Sequence, residues 1–410
     1  MISVGKKRYA FAGIDMIVLL FAGLLYGWSI FVTPLETEFG WVRSQTSMAF
    51  ALGTISNTIG AVFGATLAKK IGSTWVVRIS SVICCGGFLL ASNLTELWQL
   101  YLFYSVMCAG AIGMVYNMVL GTIVDWFQGK SSLITGMMLM CYGTGGLIFG
   151  TLASFTIQII GWRKTFALLG IIAFVLMFGA SFIIRKPKNE EIKNLSKAVE
   201  KKVIITDSEM QELGPLGMMK SKSFWLFFFW NIALASIGLT ISGHASPMAQ
   251  EVGITSVTAA LFAGTVSLFN GIGRVLFGIT FDKYGRKKSL IIVNATAGIG
   301  AIGLTISYIT GNSIIMLLGF VFLGLGFGGA PISSAGFVRS LYGKDNYGVN
   351  VAIMNLSVVV ASFLGPYISG VIFQSFGYLA VAILLCVLAA LSLLIGIILF
   401  KLKILVKGRV

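Results

Sequence analysis

Twelve apolar runs, each long enough to cross a bilayer, leave this 410-residue chain little room for any other architecture. A hydrocarbon core of ~30 Å takes about 20 helical residues. The runs fall at 10–33, 44–68, 74–92, 97–124, 132–160, 164–184, 223–249, 257–280, 288–309, 313–336, 347–373 and 377–400. A water-soluble domain of this length needs a far more charged surface than 11% Asp, Glu, Lys and Arg, and the mean hydropathy is +0.93. The fold class is an all-α polytopic membrane protein. Backbone polar groups have no water to bond in lipid, so each run must satisfy its own as a helix.

The net charge of +16 is not a nucleic-acid footprint, because the basic residues sit in short clusters between apolar runs rather than on a polar domain. With the N-terminus placed in the cytoplasm, 26 Lys and Arg fall on the cytoplasmic side. Only Arg43, Arg163 and Lys164 fall opposite, and Arg274 is the thirtieth. That bias predicts an even number of spans with both termini cytoplasmic; the expected setting is the cell membrane, with the lipid bilayer as partner surface and the chain functional as a monomer. The basic start "MISVGKKRYAFAG" has no small-residue cleavage site after a short apolar region and reads as a retained first helix. All five cysteines lie inside apolar runs, without zinc-ligand spacing, and read as small buried hydrophobes.

One long polar segment interrupts the pattern. Residues 185–222 are rich in mixed charge and divide six runs from six, so the expected organisation is a bundle at 1–184, a cytoplasmic connector at 185–222 and a second bundle at 223–410. The halves echo each other. Gly40 matches Gly253 and Gly72 matches Gly285, both 213 residues apart; Gly129-Lys130 matches Gly343-Lys344 at 214, and Gly161 matches Gly377 at 216. Parallel repeats imply two pseudo-symmetric bundles with a central cavity between them, rocking between inward and outward openings.

At "GITFDKYGRK", Gly278 to Lys287, the chain resembles the major facilitator superfamily at every defining position of its loop signature. The first-half counterpart "ATLAKKIGST" has Lys69 in place of the aspartate and Ser73 in place of the arginine. More narrowly, "YGWSIFVTPLETEFGWVRSQTSMAF", "FNGIGRVLFGITFDKYGR" and "NYGVNVAIMNLSVVVASFLGP" resemble the oxalate:formate antiporter and bacterial monocarboxylate transporter branch. The resemblance implies the major facilitator fold, Arg274 as the group that binds a substrate carboxylate, and Asp282 and Arg286 as a latch on the cytoplasmic gate. Oxalate carriers of that branch add a lysine in the eleventh helix. Here that position is Val358, which suits a monocarboxylate better than a dianion.

The residues themselves point the same way. Arg274 precedes Asp282 by eight positions, about 12 Å along a helix, which puts a guanidinium near the bilayer midplane. A charge there costs at least a few kcal/mol and is retained for function or for a paired acid. Asp15 and Asp125 map to helix ends and leave it no acid at matching depth. The guanidinium fork matches a carboxylate bidentately and stays charged throughout a cycle. Tyr26, Tyr116, Asn117, Tyr142, Asn270 and Asn355 are further candidates for substrate contact, each weighed against plain helix packing. His244, the only histidine, is a candidate for coupling or gating beside Gly243 and Pro247. No phosphate loop, paired carboxylate or Cys/His cluster is present, so an enzyme, a cofactor and a bound metal are not expected. The expected function is secondary transport of a small organic anion such as lactate, pyruvate or formate, with a proton or counter-anion as partner. Efflux of drug-like solutes and solute sensing are the alternatives.

Overall fold

The computed structural model describes residues 4–127, 131–185, 187, 212–343 and 346–401, all helix or short connection, with no strand among them. In chain order these are α1 (Val4–Ala22), a 3-10 turn (Gly23–Gly27), α2 (Ser29–Phe39), α3 (Arg43–Ile71), α4 (Ser73–Ala91), α5 (Leu97–Gln99) continuing as a π-helix (Leu100–Cys108), α6 (Ala109–Trp126) and α7 (Ser131–Ser181). Then follow α8 (Pro215–Met219), α9 (Lys222–Glu251), α10 (Ser256–Thr310), α11 (Ser313–Tyr342), α12 (Tyr347–Leu364) and α13 (Pro366–Lys401).

Ten segments are long and apolar enough to span a membrane. The longest two each contain a turn at a glycine, Gly161 at φ 79° and Gly377 at φ 73°. Each therefore holds two crossings, and the total is twelve. The surface is that of a chain dissolved in lipid: Ile59, Phe63, Ile309 and Phe376 are all more than half exposed, on helices with few charges.

The chain divides into two compact units, one of residues 1–41 and 49–204, the other of 42–48 and 205–410. In the first, helices touch backbone to backbone where glycine removes the side chain. A Cβ at Gly145 would overlap the Leu20 carbonyl and meet the Gly23 Cα at 2.7 Å, which locks α1 to α7. Gly60 and Gly113 bring α3 and α6 together in the same way, through Gly110 and Asn57. Lipid supplies no hydrophobic drive between helices, so this close approach is what van der Waals packing and small residues provide instead. It also explains a departure from the expected first span: the helix tightens to 3-10 at Gly23–Gly27, where the chain lies against α7.

The second unit repeats the device on α10 and α11, with Gly324 against the Val266 carbonyl and Gly326 against Ala297. Two of its helices begin on side-chain caps. Ser221 accepts from the Phe224 amide to start α9, and Asn312 accepts from Ile314 and Ile315 to start α11.

The repeat has a conformational cause. Gly40 and Gly253, Gly72 and Gly285, and Gly161 and Gly377 all adopt φ between 68° and 85°, and so does Gly343. An L side chain is strained in that region, so a connection that turns there selects glycine. Gly129, the expected mate of Gly343, lies outside the described residues.

Candidate functional site

In the second unit, Arg274 and Asn270 stand one turn apart on the same face of α10, and both are buried, at 8% and 1% exposure. The facing helix fixes them there. A Cβ at Gly328 on α11 would overlap the Asn270 carbonyl and lie 2.9 Å from the Arg274 amide nitrogen. With glycine at that spot, α11 sits directly on the backbone that carries the arginine. The Oδ1 of Asn270 is buried and has no hydrogen-bond partner among the described residues. This face therefore combines a delocalised cation with an unmet acceptor, a set that takes a carboxylate carrying or accompanied by an O–H donor. Asn355 is not part of it, being exposed on α12.

In the first unit, three of the expected residues do converge. The Tyr142 ring lies 5.4 Å from that of Tyr26 and 4.8 Å from that of Tyr116, joining the 3-10 turn, α6 and α7. Asn117 is committed elsewhere, since its Nδ2 donates to the Ala61 carbonyl at 2.8 Å and ties α6 to α3. Trp28 is core, packed on Tyr104 at 4.5 Å.

His244 is fully buried on α9, which runs through Gly243 and Pro247 as one helix. Its Nε2 faces the Pro366 carbonyl at 3.0 Å, which can only accept, so Nε2 carries the hydrogen. In the neutral ring Nδ1 is then the acceptor, and the Tyr378 hydroxyl at 3.3 Å donates to it. Ser47 Oγ lies 3.3 Å from Nε2. Arg43, 8% exposed at the start of α3, donates from Nη1 to the Tyr378 hydroxyl and stacks over Phe373 at 4.7 Å. Glu251 lies within electrostatic reach of Arg43. Arg286, expected to form a latch with Asp282, donates to Ser340 Oγ at 3.1 Å, and the Asp282 side chain lies outside the described residues.

The first unit carries a related but more open arrangement. Trp162 Nε1 donates to Glu38 Oε2 at 2.5 Å, and Arg163 pairs with Glu38 Oε1 at 2.8 Å. Partial burial pushes the Glu38 carboxyl up, but the bonds from Trp162 and Arg163 and the Arg163 charge outweigh it and hold it below the usual range.

One expectation is overturned. Asp15 is not a helix-end charge: it sits inside α1 at 2% exposure, and its Oδ1 has no hydrogen-bond partner among the described residues. The signal was present in "AFAGIDMIVLLFAG", where Asp15 stands seven residues past Arg8 with apolar neighbours on both sides.

The sequence matches the Major Facilitator Superfamily over residues 16–244 and 229–408. The chain belongs to that superfamily. It is a multi-pass membrane transporter and not an enzyme. Among similar superfamily members is the oxalate:formate antiporter of Oxalobacter formigenes, 24% identical over 381 residues, 92% of this chain and 87% of that one. An uncharacterized MFS-type transporter, YhjX, of Escherichia coli is 26% identical over 352 residues, covering 85% and 84%. Human monocarboxylate transporter 2 is 24% identical over 355 residues, covering 82% and 71%. In fold the chain is similar to a bacterial homolog of the human lysosomal transporter Spinster in an inward-facing state, with TM-score 0.70, 14% identity and 98% of each chain covered. These superfamily members include the branch that "GIGRVLFGITFDKYGR" resembles.

Proposed function

We propose that this superfamily member is a secondary carrier of a small monocarboxylate, with Arg274 as the anchor for the substrate anion. The observation that carries the reading is a guanidinium buried within a membrane-spanning helix, held in place by the α11 glycines. Such a group is costly in lipid, and its planar fork matches a carboxylate bidentately. Asn270, one turn away, supplies an acceptor for a hydroxyl on the substrate or on a bound water. Tyr142, Tyr26 and Tyr116 form a separate cluster of hydroxyl-bearing rings within the first unit and are candidates for contact with a carboxylate in their own right. The names of two relatives, an oxalate:formate antiporter and a monocarboxylate transporter, support an anion as cargo. Val358 supplies no second cation, which favours one carboxylate over two. His244, with both ring nitrogens engaged, and Arg286 with Asp282 serve the opening and closing of the two ends. The termini lie in the cytoplasm and the membrane is the cell membrane.

Charge-assisted hydrogen bonds contribute about 1.5–3 kcal/mol, so R274Q weakens apparent affinity about 10- to 100-fold in proteoliposome counterflow of radiolabelled lactate, formate and oxalate. R274K keeps the charge, loses the fork and falls between. Counterflow with wild-type Km in R274Q removes the anchor.

Asp15 gives a second reading some footing, because efflux of an organic cation uses a buried carboxylate. In that reading Arg274 repels the cargo, and R274Q speeds cation export rather than slowing anion exchange.

A further inference from the structure

Nothing in the anion site accounts for Asp15. Its carboxyl lies on α1 about 10 Å inward of Arg8 at 1.5 Å per residue, in a membrane-spanning segment. Ala12, Val18, Leu19 and Ala22 on the same helix are buried with it. The described residues offer it no ion pair, and its Oδ1 meets no donor.

The charged and titratable groups around it are accounted for. On its own helix, Arg8 is held between the rings of Tyr9 and Phe127 at 5.0 and 5.3 Å. Arg185 stacks on Phe11 and Trp126. The helices packed on α1 are α6, α7 and the 3-10 turn. They carry Tyr116, Cys141, Tyr142 and Tyr26, with Arg163 and Lys164 beyond the Gly161 turn, and the Asp125 side chain lies outside the described residues. A cavity of about 280 Å³, lined by Ala12, Gly13, Met16 and Met137, runs within one helical turn of Asp15. Its lining of alanine, glycine, methionine, isoleucine and aromatic side chains is apolar and does not include Asp15.

A carboxyl that loses water on burial and gains neither a cation nor a donor carries a large solvation difference between its charged and neutral forms. Burial without a partner then favours the protonated acid, and contact with water favours release of the proton, as the helix environment changes. This is what coupling requires. His244 is the less suited group, because its two nitrogens are already spent on Pro366 and Tyr378.

We propose that Asp15 is the proton-carrying site of this transporter: its carboxylate takes a proton from water on one side of the membrane, crosses the cycle as the neutral acid, and returns the proton on the other. The proposal deepens the carboxylate reading and rests on it for the identity of the cargo, but not for the proton site.

The test has two arms. In the first, infrared difference spectra of the purified protein in nanodiscs are recorded across neutral pH in H₂O and D₂O. A protonated-carboxyl band is expected in the wild type and lost in D15N. No such band, or a band unchanged in D15N, overturns the proposal. Should D15N fail to insert, D15E decides it, since a band from this residue shifts and any other stays. In the second arm, proteoliposomes take up lactate under a gradient of about one pH unit, which at one proton per carboxylate drives about tenfold accumulation. D15N is expected to keep counterflow within about twofold of wild type and to lose the accumulation, settling near an equal distribution. Tenfold accumulation in D15N overturns the proposal. If the wild type exchanges none of the carboxylates, it is the anion reading that falls, and the infrared arm still decides Asp15.

Discussion

Two glycine turns, Gly161 in the first unit and Gly377 in the second, are each followed by an aromatic residue that an arginine approaches, and the arginines differ greatly in exposure. In the first unit Trp162 and Arg163 engage Glu38, with the paired side chains 38% and 43% exposed. The repeat offsets carry Glu38 to Glu251, 213 residues on, and Trp162 to Tyr378, 216 on. There the arginine does not follow the aromatic. It is Arg43, from the start of α3, and it bonds a tyrosine that is 2% exposed and also faces His244. The backbone turn is duplicated; the side chains that fill it are not. An exposed ion pair is screened by water, whereas a buried guanidinium depends on every partner it has, so the two sites carry different energetic weight for the same local geometry.

The comparison breaks most readily at Tyr378. Removing its hydroxyl in Y378F takes one partner from a buried cation and one from His244, and hydrogen bonds to charged groups contribute about 1.5–3 kcal/mol. Thermal unfolding in detergent is expected to reveal that loss, with E38Q, at the exposed Arg163–Glu38 pair, losing clearly less. Equal losses would mean that burial does not set the weight of these two sites.

A smaller effect tests the shared backbone. Gly40 and Gly253 have φ of 68° and 85°, and nothing lies within 4 Å of a Cβ added at either. Strain is then the only cost, about 1–2 kcal/mol for an alanine in the left-handed region. G40A and G253A are expected to lower stability by similar amounts in the same unfolding assay. A neutral G253A would show that the second turn relaxes where the first does not.

These glycines also mark how far the sequence could be read. Span number and turn positions were legible because bilayer thickness fixes a length and a left-handed connection selects glycine. Arg274, read as lying well inside its span, is buried at 8% exposure. Direction around the helix axis was not legible. On a soluble helix an apolar stripe reveals the inward face, but here lipid and interior are both apolar and no stripe exists. Asn117 thus read as a ligand candidate although its amide is spent on Ala61, and Asn355 looked equivalent to Asn270 although only the latter is buried. For Asp15 the distance from Arg8 marked it as lying inside the span, but its apolar neighbours are the same whether it faces lipid or the bundle, so its burial was not legible. Arg43 was hidden differently: its bond to Tyr378 joins residues 335 positions apart.

The smallest expected effect lies at Glu38, and its sign can be worked out. The Glu38 carboxyl is held below its ordinary range, so the folded protein binds a proton there less readily than the unfolded chain. The stabilisation is therefore fully present above the ordinary carboxylate range and is lost as pH falls through the lowered folded value. Because both partners are more than a third exposed, the contribution is that of a surface pair, about 0.2–1 kcal/mol, and salt weakens it. E38Q is expected to lower the unfolding temperature slightly at pH 7 and in low salt, and to match the wild type in acid, where the carboxylate is already neutral. A penalty that persists unchanged in acid or in high salt would mean that Glu38 acts through the shape of its bond to Trp162 rather than through charge. The turn at Gly161 would then resemble its buried counterpart at Gly377 more closely than its exposure suggests.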